Sequence, residues 1–540
     1  MASSAETDTW CDKLWTKVNR KGPHVYVDFF EDFESDYGEQ FKEWDQQLNN
    51  QDWKHKFLNL QNDAVKNKTV ANMFDSQGNV HFQHREFHKA MEMYNQALCF
   101  AQFNSAQMGV LYAKRGFCFF NLNMYIECMA DTELALGTDF PSAWMSKLDE
   151  YRSNCMQHMS KPISGTPNTP TLSFGTDTTF PCLANVISIR NDGLETSIVA
   201  NTDIEIGKTI LIEKAFTSIA VGYDTALCYG CQKMCKNLFP CEYCTDVMFC
   251  SNECMQLNGV HKISCGEAYN RMPSHIKLVV HSILEAITSF STIGDLIMFV
   301  RATVAQKDID MEENAKISNY GLFLGLKPSS KEPPIQLVYE AYTTLMSMST
   351  IQSKFTTKTE QSFLMHLVGH HATVLLSNSY GGFEPNQNQF ILATMTNVAS
   401  LFQHSCTPNL MQHTIGNQTI FITNQPVKQG DHLYIDYCPE EHVTEQRKEM
   451  LRQTYDIFCT CAKCDPQEHP IPDPMLSNDP SFLYIIRYKK YIGSGTSALL
   501  KQKCINFLQQ HREQPWSKEK EYVINAYSRC MLEDFGHGKY

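Results

Sequence analysis

The chain lacks a run of lysine and arginine long enough to form a nucleic-acid-binding patch, and its 46 basic against 59 acidic residues give a net charge of -13. Such a surface repels phosphate backbones and acidic membranes, which disfavours direct nucleic-acid binding. Uninterrupted apolar stretches are also missing. The longest, around Val279 to Val300, carries His281, Glu285 and Asp295, so it suits a buried helix and no membrane span is expected. Charged residues make up only 19% of the 540 positions, too few for a disordered polyelectrolyte, whereas the 43% that are hydrophobic suffice for several folded domains. The opening MASSAETDTWCDKLW has no basic end followed by an apolar core, so no secretory signal is read there. A soluble protein of the cytoplasm and nucleus is expected.

Cysteine, by contrast, is abundant, with 21 residues. In a reducing compartment that count points to metal rather than disulfides, and spacing decides between them. From Cys228 the sequence reads CYGCQKMCKNLFPCEYCTDVMFCSNECMQLNGVHKISC, which contains Cys228-x2-Cys231, Cys241-x2-Cys244, Cys250-x3-Cys254 and His261-x3-Cys265. Eight soft or borderline ligands in four pairs are enough for two closed tetrahedral zinc sites with no position left open for catalysis. Thiols that serve only packing have no reason to pair at metal-ligand spacing. Cys235 falls outside the pairs. A second group, FCTCAKC, holds Cys459-x-Cys461-x2-Cys464 and is one ligand short of a zinc site.

The first array resembles the MYND zinc finger in ligand order along its whole length. The resemblance implies interleaved pairing: Cys228, Cys231, Cys250 and Cys254 on one zinc, Cys241, Cys244, His261 and Cys265 on the other. Zinc is then structural, because so small a module has too little apolar core to fold without it. QHSCTPN at 403–409, GDHLYIDY at 430–437 and the cysteine triple resemble the core and post-SET segment of SET-domain lysine methyltransferases. That resemblance places Cys406 with Cys459, Cys461 and Cys464 on a third zinc beside the active site. ETSIVANTDIEIGKTILIEKAF, Glu195 to Phe216, looks like the opening strands, with SIVA and TILIE read as a hairpin around the turn from Asp203 to Gly207. LLSNSYGGF, Leu375 to Phe383, resembles the segment bearing the family's Asn-Ser-Phe. A MYND finger inserted in a SET domain is the arrangement of the SET and MYND domain-containing (SMYD) family, which the chain resembles over about residues 185–464.

Enzymes of this type move a methyl group from S-adenosylmethionine to a neutral lysine amine that enters through a narrow channel. Catalysis there is chiefly alignment and stabilisation of shifting charge, and a desolvating aromatic channel lowers the lysine pKa. The resemblance implies Tyr437 as the active-site tyrosine, Tyr455 as a second aromatic of channel and cofactor pocket, and Tyr380 where the family has phenylalanine. It implies Asn378, Gln403 and His404 as cofactor contacts, together with Tyr437, Tyr455 and Ile457. Three places depart from the pattern. Gln403 stands for an asparagine, Ile457 for a phenylalanine that packs on adenine, and Glu195, Thr196 and Ser197 for Gly-Arg-Gly, with Gly193 nearby. Two functions stay open: an S-adenosylmethionine-dependent protein-lysine N-methyltransferase acting on histone or non-histone proteins, or a catalytically weak adaptor that binds partner peptides in transcriptional regulation.

Residues 71–140 contain two repeats, SQGNVHFQHREFHKAMEMYNQAL and LYAKRGFCFFNLNMYIECMADTELAL, with the spacing of tetratricopeptide (TPR) helix pairs. Gly78, Ala90, Tyr94 and Ala97 in the first, and Gly116, Tyr125 and Ala135 in the second, fall where close packing needs them. Of three places that clamp a peptide carboxylate in some such repeats, Asn79 is kept and Asp75 and Lys114 take the other two. The layout expected is multidomain α+β. An acidic, aromatic segment (1–66) leads to TPR-like helices (67–155), a mobile Ser/Thr/Pro/Gly-rich linker (156–184) and the first part of the SET domain (185–227). The MYND finger (228–265), a helical insert (266–375), the SET core (376–440), the post-SET segment (441–464) and a helical C-terminal region (465–540) that caps the cleft complete it. Expected cofactors are S-adenosylmethionine and three zinc ions, two in the finger and one post-SET. Expected partners are proteins presenting a lysine, and peptides bound by finger and repeats. His366, His370 and His371 lack a carboxylate at metal-site spacing, and Cys438 lacks a base that would make it a nucleophile.

Overall fold

The computed structural model describes residues 65–159, 169–191, 196–221, 226–305, 319–329, 335–384, 389–438, 443–464, 473–492 and 497–535. Most of the acidic opening segment, Gly193 and Glu195 lie outside the described residues.

Five helices come first: α1 (Lys68–Gln83), α2 (Phe87–Phe100), α3 (Ala106–Asn121), α4 (Tyr125–Leu136) and α5 (Ser142–Met159). Asn67 and Ser105 start α1 and α3 by accepting first-turn N–H groups. A Cβ on Gly78 would lie 2.5 Å from Tyr94 Cε1, so glycine is what lets α1 and α2 pack this closely. Asp75 and Lys114, at two of the clamp places, pair with each other at 2.6 Å. Asn79 Oδ1 accepts from Tyr94 Oη at 3.1 Å.

The helices share a core with the cysteine-rich segment, where Leu238, Val247, Met248 and Phe249 pack in one cluster with Leu111 and Phe117. At its centre Arg115 is fully buried. Its Nε and Nη2 donate to the two oxygens of Asp131 at 2.7 and 2.8 Å, and its Nη1 donates to Asn95 Oδ1 at 2.6 Å and the Leu238 carbonyl at 2.8 Å. Asn237 Nδ2 donates to Asp131 Oδ1 at 2.7 Å. Four of the five N–H groups of the buried guanidinium therefore have an acceptor, and Leu238 and Asn237, which bond Arg115 and Asp131, come from a segment more than a hundred residues away.

Strands among the described residues are β1 (Ile187–Asn191), β2 (Thr196–Ala200), β3 (Thr209–Lys214), β4 (Thr217–Ala220), β5 (Phe239–Pro240), β6 (Met248–Phe249), β7 (Ser379–Glu384), β8 (Gln389–Met395), β9 (Gln403–His404), β10 (Leu410–Ile415), β11 (Gln418–Thr423) and β12 (Tyr434–Ile435). They form small sheets ordered β1-β2, β10-β11-β3, β4-β8-β7, β5-β6 and β12-β9, the last pair parallel. The expected hairpin between SIVA and TILIE does not form. β2 pairs with β1, and β3 pairs with β11. Both strands are buried and each needs a partner of matching length, while the segment between them bridges at Ile204 to Val427 and turns through positive φ at Gly207 into the second sheet. The expected linker is also shorter than read. Residues 169–184 pack on β3: Ser173 N–H donates to Thr209, Ala184 N–H donates to Ile210, and Phe180 and Leu183 are buried in the core.

Between the strands lie α6 (Asn252–Gln256) and α7 (Gly259–Ser264), then α8 (Ser274–Thr288), α9 (Ile293–Ala305), α10 (Asn319–Gly325), α11 (Ile335–Ser347), α12 (Ser349–Gln352) and α13 (Lys358–Asn378). The last six surround one apolar cluster. No single helix among the described residues is long and apolar enough to cross a membrane, and the stretch from α8 into α9 bends by 105°. His371 pairs inside this cluster with Ser282 Oγ at 2.9 Å and Tyr320 Oη at 3.0 Å. After the strands come α14 (Thr444–Tyr455), α15 (Pro474–Ser477), α16 (Pro480–Tyr488), α17 (Ser497–Gln510) and α18 (Lys518–Asp534). The last three pack on Met411, Ile415, Ile420 and Ile422 of β10 and β11. Gly416, at the tip of that hairpin with φ +59, sits where a Cβ would strike the Cys231 carbonyl, and Asn417 N–H donates to the same carbonyl at 2.9 Å.

Replacing Arg115 with Met strands a buried carboxylate and is expected to cost about 3–5 kcal/mol in urea unfolding. Adding Asp131→Leu is expected to restore most of that loss; equal stability of Arg115→Met and the parent would contradict the packing described.

Candidate active site and metal centres

Three sets of four ligand atoms each lie within 4.8 Å of one another: Cys228, Cys231, Cys250 and Cys254; Cys241, Cys244, His261 and Cys265; Cys406, Cys459, Cys461 and Cys464. These are the twelve residues singled out in the sequence. Sulfur separations are 3.7 Å for Cys231–Cys250, 3.6 Å for Cys250–Cys254, 3.7 Å for Cys241–Cys265 and 3.5 Å for Cys406–Cys464. A tetrahedron with metal–sulfur bonds of about 2.3 Å has edges of about 3.8 Å, so the donor sets fit zinc. Local structure aims the ligands. Ser251 Oγ accepts the Cys254 N–H at 3.1 Å and Asn258 Oδ1 accepts the His261 N–H at 2.7 Å, starting α6 and α7 with one ligand each on their first turns.

The third set joins the strand segment at 403–406 to the segment after α14. Asp456, left-handed at φ 56, ends that helix and lets Ile457 N–H close back on the Leu451 carbonyl at 3.1 Å, which turns the chain toward Cys459. Arg447, on the buried side of α14, donates to Cys464 Sγ at 3.7 Å and the Lys463 carbonyl at 3.3 Å. His404 connects this centre to the tyrosines. Its Nδ1 accepts the Tyr437 N–H at 3.1 Å, which leaves the ring proton on Nε2, 3.1 Å from Cys406 Sγ. Burial pushes its pKa down to about 4, so the ring is neutral.

Tyr437 Oη donates to the Phe402 carbonyl at 2.6 Å, and its ring stands 4.9 Å from that of Tyr455. Burial pushes both phenols up, Tyr455 to about 12, so both stay protonated. Asn378, Tyr380, Tyr437 and Tyr455 all line one cavity of about 800 Å³. Asn378 Nδ2 is committed to the Val374 and Lys327 carbonyls at 2.9 and 3.0 Å, which turns its Oδ1 into the group available as an acceptor. The Tyr380 hydroxyl is bonded to Thr396 and Thr419, so this residue offers the cavity its ring. Gln403, His404 and Ile457 are not on the wall. Gln403 Nε2 reaches the Thr196 carbonyl at 3.2 Å, His404 lies behind Tyr437, and Ile457 packs against the third cysteine set.

The opposite wall is one face of α18, with Glu521, Ile524, Asn525, Ser528 and Leu532, next to Trp516. Glu521 holds Lys463, also on the wall, at 2.8 Å. Sequence reading expected a cap here without naming residues. The helical spacing of 521, 524, 525, 528 and 532 was the available signal, but such a stripe ordinarily means core.

A SET domain model matches residues 195–438. Protein-lysine N-methyltransferase SMYD4 of Pongo abelii is 21% identical, over 73% of this chain and 67% of its own. The chain carries a SET domain and is similar to SET and MYND domain-containing proteins. SET domain-containing protein 3 of Caenorhabditis elegans is 24% identical, covering 67% of this chain and 80% of the relative. A SET and MYND domain-containing protein of Dictyostelium discoideum is 20% identical over 51% of this chain and 80% of its own. The SET domain of LSMT, solved with lysine and AdoHcy, aligns at 10% identity and a TM-score of 0.23 over 65% of this chain and 86% of that one, too low to bear on the assignment.

Cys459→Ser is expected to lower bound zinc from about three to about two equivalents per chain and to speed amide exchange at Tyr437. An unchanged zinc count would remove Cys459 from the ligand set.

Proposed function

We propose that this protein is an S-adenosylmethionine-dependent protein-lysine N-methyltransferase whose reaction takes place between Tyr437 and Asn378. The observation that carries the reading is the cavity that joins Tyr437, Tyr455, Tyr380 and Asn378 beside a zinc-fitting cysteine set, in a chain of the SET and MYND type. S-adenosylmethionine, when bound, supplies an electrophilic methyl on a sulfonium. Asn378 Oδ1 is an acceptor suited to its ammonium group. Tyr437 keeps its proton on the Phe402 carbonyl, so its oxygen lone pairs can accept an N–H of the incoming amine and fix the nitrogen for in-line attack. The ring pair of Tyr437 and Tyr455 excludes water, which favours the neutral amine.

The five helices are read as TPR-like and the segment with eight ligands as a MYND finger holding two zinc ions. Both recruit peptide segments of partner proteins in cytoplasm and nucleus, and the acidic balance of the chain favours protein over nucleic-acid targets. The Asp75–Lys114 pair argues against a carboxylate clamp on the helices, so recruitment uses another face. Gln403 and Ile457, which depart from the family pattern, favour an adaptor as the second reading.

Tyr437→Phe is expected to lower methyl transfer to protein lysine by about 10²-fold while leaving S-adenosylhomocysteine binding within about twofold of the parent. A variant that transfers methyl as fast as the parent would contradict the role given to the hydroxyl, and a parent with no transfer to any protein fraction would favour the adaptor.

A further inference from the structure

Glu213 is a buried carboxylate on β3 that no step above uses. Its Oε1 accepts the N–H groups of Asn397 at 2.8 Å and Val398 at 2.9 Å, and its Oε2 accepts that of Ala399 at 2.7 Å. These donors begin the short 3-10 turn Ala399–Leu401, where a helix start leaves N–H groups without intrahelical acceptors and favours negative charge. The same turn is fixed from the helical insert, because Asn397 Nδ2 donates to the Asn319 carbonyl at 2.8 Å. Ala399 and Ser400 line the cavity, and the chain runs on at once to Phe402, whose carbonyl takes the Tyr437 hydroxyl, and to His404. A carboxylate 184 residues earlier in the chain thus holds the point from which the cavity wall starts.

We infer that Glu213, in its ionised form, is a positioning residue for the cofactor wall, holding the Asn397–Ala399 amides so that Ser400, the Phe402 carbonyl and Tyr437 keep their alignment. The inference rests on the methyltransferase reading for its effect on ligand binding, but not for its effect on the turn. Three amide bonds exceed what a neutral group can accept as well. A protonated carboxyl, or the amide of Glu213→Gln, turns one oxygen's place into a donor that faces an N–H.

The site is poised for this change. Burial pushes the Glu213 pKa up to about 7 against the three hydrogen bonds that hold it down. The titratable groups facing it are the Cys182 thiol, from the segment packed on β3, and the Tyr380 phenol on β7, and burial keeps both neutral. Above about pH 7 the ionised form prevails and the turn is held by all three bonds; as pH falls through that value one bond is lost. Because the folded pKa is raised, the group's contribution to global stability runs the other way. It is full below the unfolded carboxyl value of about 4.3 and declines as pH rises toward 7.

The test uses the full zinc-replete chain, with amide exchange over residues 397–404 in the absence of ligand and calorimetric titration with S-adenosylhomocysteine from about pH 6 to 8. For Glu213→Gln that retains its zinc, exchange at 397–399 is expected to quicken about tenfold at pH 7.5, with a similar rise in Kd. The parent is expected to approach the variant's values at pH 6, while the variant stays flat across the range. Parent-like protection in the variant, or a variant as pH-dependent as the parent, would overturn the inference. Should the variant lose its zinc, the parent's pH series decides alone: protection at 397–399 that does not weaken below pH 7, after correction for intrinsic exchange, counts against it. A parent that binds no S-adenosylhomocysteine yet shows the expected exchange would sink the methyltransferase reading and leave the positioning of the turn intact.

Discussion

Twelve ligand residues converge in three sets, and within each set the four ligand atoms lie within 4.8 Å of one another, the spacing of donors around one zinc ion. The third set matters most, because its ligands come from both sides of the active-site strand: Cys406 from one, and Cys459, Cys461 and Cys464 from the other. Closing it fixes the end of α14, and with it Tyr455, against Tyr437. His404 passes the constraint on, with one ring nitrogen toward Cys406 and the other on the Tyr437 backbone. The third cysteine set and the tyrosines are therefore one mechanical unit, and loosening one loosens the other.

A similar economy holds the larger parts together. Arg115 satisfies Asp131, Asn95 and the Leu238 carbonyl at once, so the helical pairs and the cysteine-rich segment share a core rather than a tether. Gly416 and Asn417 bring the β10–β11 hairpin against the Cys231 carbonyl from the other side. The cysteine-rich segment is thereby wedged between helices and sheets.

Ligand spacing made the metal centres legible, because pairs at x2 and x3 are set by local backbone geometry that a sequence displays. Motif position singled out Tyr437, Tyr455, Tyr380 and Asn378, and all four line one cavity. What stayed hidden was long-range. TILIE and SIVA both read as strands, yet no local signal says that one pairs with 187–191 and the other with β11. Residues 169–184 have a linker's composition, but Phe180 and Leu183 are enough to bind them to the core. The α18 stripe could not be assigned to a cavity wall because helical periodicity marks a buried face without saying against what. Glu213 was invisible for the same reason, since a single acidic residue in a strand declares no partner. Gln403, His404 and Ile457, named as cofactor contacts from motif position, do not line this cavity.

The central claim is that the cavity beside the third cysteine set is a cofactor site. Calorimetric titration of the zinc-replete chain with S-adenosylmethionine tests it most directly. The account predicts saturable binding at one site per chain, weakened about tenfold by Asn378→Ala. Protein that holds its zinc but gives no binding at ligand concentrations up to about 1 mM would contradict it.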